Sequence, residues 1–120
     1  MLARARLLGS EGARARADAA RAVALASAID DAFSTIVALE VAADILAASR
    51  KPVPAVNLRA TATRIRSECD AYEGRMEQAW SSETLERALA GLGAAEYDRA
   101  WEAGATAGAQ DALASAAFEL

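Results

Sequence analysis

AFSTIVALEVAADILAA, residues 32–48, constrains the fold most. Only Ser34, Thr35, Glu40 and Asp44 interrupt an apolar circumference. A surface helix keeps one polar face for water; this one has too little, so it must be central, with neighbours on more than one side. Its flanks fix its limits. Asp30 or Asp31 can cap its start. SRKPVP, residues 49–54, ends it, because two prolines tolerate only a helix start.

The same reading extends along the chain. Residues 2–9 form a short helix, and Gly12 marks a turn. A second helix spans about 13–29. Ala15, Ala19, Ala22, Ala26 and Ile29 share its inner face with Leu25 beside them, while Arg14, Asp18 and Arg21 lie opposite. The helix after Pro52 runs to about Glu73 and stops at Gly74. Leu58, Ala62, Ile65, Cys69 and Tyr72 make its buried stripe, with exposed pairs Arg64–Glu68 and Arg66–Asp70. Residues 75–79 fit either loop or helix. Ser81 or Ser82 then caps a helix through about Leu92, with Leu85, Ala88, Leu89 and Leu92 inside. Another helix covers about 94–103, with Tyr97 and Trp101 on one side. Gly104 and Gly108 end it and admit a last helix, about 109–119, with the stripe Ala109, Leu113, Ala116 and Leu120. Strand-like alternation is missing.

Composition explains how such helices pack. Alanine supplies 35 of the 120 residues. It forms helices well but buries little area. The core is therefore thin and rests on Phe33, Ile36, Leu39, Ile45, Leu46, Leu58, Ile65, Tyr72, Trp80, Leu85, Leu89, Tyr97, Trp101 and Phe118. Two of the six aromatics, Tyr97 and Trp101, fall in the short segment GLGAAEYDRAWEAG (91–104). There they serve to anchor a terminal helix that alanine alone cannot hold.

The hairpins 2–9/13–29 and 32–48/53–73 look like two copies, with turns about 38 residues apart, near the tetratricopeptide period. LARARLLGSEG with ARADAARAVALASAID resembles a tetratricopeptide hairpin, as does ALEVAADILAASRKPVPAVNLRATATRI. ERALAGLGAAEYDRAWEAG onward resembles the closing segment of the helical-repeat region of large bacterial LuxR-type and ATPase-linked regulators, through Leu92, Gly93, Tyr97, Trp101 and Gly104. The resemblance implies an all-α fold: a short α-solenoid of antiparallel helical hairpins with a C-terminal helical cap. It implies one domain over 1–120, with hairpins over about 1–74 and the cap over about 80–120. Ser49-Arg50-Lys51 replaces the usual turn glycine. The chain carries no P-loop and no DNA-reading domain, so only the repeat module's binding role carries over, not ATP hydrolysis or promoter binding.

Charge and residue types exclude several functions. Residues 1–66 carry a net +4 and residues 67–120 a net −8. The acidic pI argues against a nucleic-acid-binding domain. The helices around GLG could be read as helix-turn-helix, but Glu96, Asp98 and Glu102 outnumber Arg99 on the would-be recognition helix. The arginines at 4, 6, 14, 16 and 21 read as a solvated face. There is no histidine and a single cysteine, Cys69. Cys69 reads as a packed, inert thiol in a reducing compartment. No nucleophile–base pair, metal cluster or cofactor motif is present, nor a signal peptide or membrane span, so the expected location is cytoplasmic and the expected class non-enzymatic.

Glu40 and Asp44, four apart on the apolar helix, read as a solvated strip or the lining of a shallow groove. They are the candidate partner-binding residues, because the first helix of a tetratricopeptide hairpin faces the concave surface. The expected function is protein interaction, with a protein partner or a homodimer through N-terminal helices left uncapped. The alternative is a small-effector sensor with a ligand between helices.

Overall fold

The computed structural model describes residues 12–69 and 86–120. It contains α1 (Gly12–Ile29), α2 (Ala32–Ala48), α3 (Pro52–Glu68), α4 (Ala94–Thr106) and α5 (Ala109–Glu119). Residues 86–90 are also helical, and no described residue is in a strand. The expected helix over 2–9, the stripe end at Tyr72, the stop at Gly74, the segment 75–79, Trp80, Leu85 and the caps at Ser81 or Ser82 lie outside the described residues.

Local chemistry sets the turns. Asp30 adopts a left-handed φ of 58°, and Asp31 is the N-cap of α2. The Ser34 amide and hydroxyl donate to Asp31 Oδ2 at 2.8 and 3.0 Å. Those bonds hold the Asp31 carboxyl below its ordinary pKa, the amide bond contributing most. After α2, Lys51 N–H donates to the Leu46 carbonyl and Arg50 N–H to that of Ala47. This is a Schellman ending, which wants a left-handed residue at its centre, usually glycine. Arg50 supplies it at φ 62°, at a cost of about 1 kcal/mol. Pro52 then opens α3, where its missing N–H does no harm.

α2 is central, as its composition requires. α1 and α3 flank it and α5 lies across all three. Val23, Ala26, Ile36, Leu39, Leu46, Leu58, Ile65 and Leu113 meet in the main core. α5 runs antiparallel to α1: Ser27 donates to Gln110 Oε1 at one end, and Leu120 packs with Ala15, Ala19 and Ile45 at the other. Lys51 Nζ donates to the Glu119 carbonyl at 2.9 Å, placing a cation at the negative end of α5.

α4 sits on the outer side of α3 and is held differently. A Cβ at Gly104 would lie 2.0 Å from the Asn57 carbonyl oxygen, so the two backbones touch there. Thr61 Oγ1 donates to the Gly104 carbonyl at 2.6 Å, and Arg64 Nη1 to those of Ala105 and Ala107 at 3.2 and 2.6 Å. Carbonyls at a helix C-terminus lack partners further along the helix; here α3 provides donors for Ala105 and Ala107 and joins the Ala107 amide on Gly104. Val56, Ala88 and Ala100 form a small second core, with Leu92, Tyr97 and Trp101 against it.

Several expectations are corrected. α3 stops at Glu68 rather than about Glu73. Gly104 does not end the helix over 94–103. α4 continues to Thr106, and the glycine is there for close approach. Phe33, Leu89 and Phe118 are not anchors; they are 67%, 46% and 87% exposed. Phe118 lies on the side of α5 away from Leu113 and Ala116, and on 86–90 only Ala88 is buried. On α1 the buried face turns through Val23, leaving Leu25 and Ile29 outside. α5 covers one flank of α1, and Leu25 and Ile29 lie exposed on α1. The last helix, α5, packs on the first described one, α1.

Candidate functional site

Glu40 interrupts the apolar run of α2, and a carboxylate so placed needs compensation. α3 supplies it. Arg59 and Arg66 stand two helical turns apart on the flank facing α2. Arg66 Nη2 donates to both Glu40 oxygens at 3.0 and 2.9 Å, and Arg59 Nη1 lies 3.2 Å from Oε2. Both arginines are buried and Glu40 nearly so. Glu40 is therefore not a solvated strip. Its carboxylate clamps α2 to α3. Asp44, one turn on, is half-buried and also engaged. Arg66, expected on an exposed face, is buried and reaches Glu40; Asp70, its expected partner, lies outside the described residues. Arg64 and Glu68 do pair, at 3.7 Å.

The partners of Glu40 went unrecognised in the sequence. An acid amid the apolar residues of one helix, followed on the next by two arginines seven residues apart, carries the signal.

Cys69 is exposed, not packed. α3 ends one residue earlier, and Cys69 is its C-cap, so the stripe loses its hold there. Tyr97 and Trp101 stack with ring centroids 6.1 Å apart. They are half-buried against Val56, Ala88 and Ala100 and do pack the terminal segment onto α3. Burial, helped by the charge of Asp98, pushes the Tyr97 hydroxyl pKa up.

Two surfaces remain. One is the side of α1 and α2 away from α5. At 100° per residue, Leu25 and Ile29 point about 160° from Ser27, the residue that meets α5. On α2, Phe33 and Val37 occupy the arc left open by α1, α3 and α5. Leu25, Ile29, Phe33 and Val37 are 60%, 53%, 67% and 42% exposed. By helical geometry the four fall on one side of the α1–α2 pair, an apolar strip flanking the Asp30–Asp31 turn. The other is a cleft of about 120 Å³ between α3, α4 and α5. Asn57, Leu58, Thr61, Gly104, Asp111 and Ser115 are among the residues lining it.

No group of three or more metal-ligating side chains occurs among the described residues. No helix among them is long and apolar enough to cross a membrane. No family profile, curated protein or solved structure matches the chain.

Proposed function

We propose that this chain is a non-enzymatic protein-interaction module, the tetratricopeptide-like helical-repeat part of a bacterial regulatory protein. The observation that carries the reading is the apolar strip Leu25, Ile29, Phe33 and Val37. Single exposed apolar residues are ordinary on a protein surface; a contiguous patch of them marks an interaction site. The strip joins two helices whose opposite sides are already covered, which makes it a rigid platform. In this reading the α1–α2 and α2–α3 pairs present the strip, and α5 closes the opposite side. Glu40 acts as the clamp that fixes α2 beneath the strip, with Asp44 beside it.

Partner and homodimer use the same face. Light scattering from micromolar to millimolar concentration, with and without added salt, tests the homodimer. Self-association that is lost in Phe33→Asp supports the strip as the interface. A monomeric mass throughout removes the homodimer. Association that survives both Phe33→Asp and Ile29→Asp removes the strip itself.

A further inference from the structure

We propose a second site, separate from the apolar strip: the cleft between α3, α4 and α5 binds a short-chain primary ammonium compound. Asn57 is the only asparagine in a chain where alanine fills most small helical positions. Asparagine is a poor helix former, so its place within α3 costs stability relative to alanine. Its Oδ1 is nevertheless buried with no hydrogen-bond partner. A buried acceptor left unmet is costly, and such exceptions mark places where a water, ion or ligand belongs.

The rest of the lining gives the chemistry. Thr61 Oγ1 already donates its proton to the Gly104 carbonyl, so it offers only lone pairs to the cleft. Asp111 adds a carboxylate, and Ser115 a hydroxyl that can accept. No basic residue lines the space. Arg64, the nearest cation to the α4–α5 turn, is directed at the Ala105 and Ala107 carbonyls and is countered by Glu68. A cleft rich in acceptors and holding one carboxylate suits a ligand that only donates. A primary ammonium has three N–H donors and the matching charge. Leu58, Ala103 and Ala112 supply an apolar wall for a short alkyl chain. The volume of about 120 Å³ limits the ligand to a few heavy atoms, well below the roughly 300–1,000 Å³ of drug-sized pockets.

The test is a titration of the isotopically labelled chain with propylammonium chloride, followed by amide chemical shifts. Sodium chloride and sodium propionate at equal ionic strength are the controls. The expected result is a saturable shift confined to amides around residues 57, 61, 104, 107, 111 and 115, absent in both controls. Asp111 is exposed, so Asp111→Asn should keep the fold and weaken binding about tenfold, the worth of one charge-assisted hydrogen bond. Asn57→Ala, if its amide spectrum stays dispersed, should weaken it further. The proposal is overturned by the absence of a saturable shift in the high-millimolar range, which would leave water as the occupant. It is equally overturned by shifts that propionate reproduces, or by affinity unchanged in Asp111→Asn. None of these outcomes bears on the strip around Phe33.

Discussion

The two flanks of α3 are built by different means. Toward α2 and α5, α3 presents Leu58, Ala62 and Ile65 to Leu39, Leu46 and Leu113, and Arg59 and Arg66 grip Glu40. Toward α4 the large aliphatic side chains are replaced by a backbone contact at Gly104, two side chains that satisfy helix-end carbonyls, and a half-buried aromatic pair. An alanine-rich chain can thus hold a helix by area or by proximity. Area tolerates change in small steps, since a lost methylene costs its transfer energy and a cavity. Proximity does not, since backbone cannot be trimmed to make room.

The largest effect should come from the smallest substitution. Gly104→Ala places a methyl on the Asn57 carbonyl, and its nearest neighbours are all backbone. It should destabilise by at least about 3 kcal/mol, at the upper end for overpacking. A denaturant midpoint unchanged from wild type would mean that α3 and α4 do not touch. On the other flank, Glu40→Gln should cost about 3 kcal/mol, because two buried guanidinium groups lose their shared counter-charge. Equal stability in chemical denaturation would show that the clamp contributes nothing.

Trp101→Ala should cost about 2 kcal/mol. That is less than the roughly 3–5 kcal/mol of a fully buried aromatic, because the ring is only half covered. A loss as large as that of a core leucine would contradict the description of the α4 flank as thin. Thr61→Val keeps the shape but leaves the Gly104 carbonyl with the Ala107 amide alone, for about 1 kcal/mol in thermal melts. The smallest effect belongs to Asp31. Its folded pKa is lowered, so its contribution to stability is present above the ordinary carboxylate pKa and is lost as pH falls through the folded value. Asp31→Ala should therefore differ from wild type near neutral pH and converge with it in acid. A difference that persists after full protonation would assign the cap to something other than the carboxylate.

The aliphatic flank was legible in the sequence and the proximity flank was not. A helix as apolar as residues 32–48 can only be central, and the caps around it follow from Asp31 and Pro52. Leu58, Ile65, Leu113 and Ala116 declare themselves by spacing. Gly104 carries two meanings in a sequence, a helix end or a close approach, and periodicity cannot choose between them. Phe33, Leu25 and Ile29 misled for a related reason: hydrophobicity gives the preference of a side chain, while the arc left uncovered depends on where α5 returns. Cys69 fitted its stripe by spacing, but spacing says nothing about the helix stopping one residue earlier. The clamp was half visible: Glu40 stood out, but its partners depend on the rotation of α3 against α2.

The contrast between the flanks has one direct test, native-state amide hydrogen exchange of wild type and Gly104→Ala. Exchange reports local openings as well as global ones. If α4 is held to α3 by proximity and the rest by area, the variant should lose protection across Ala94–Thr106 while Ile36 to Leu46 of α2 stay protected. Equal loss of protection in α2 and α4 would show that the two flanks form one cooperative core and would contradict the division drawn here.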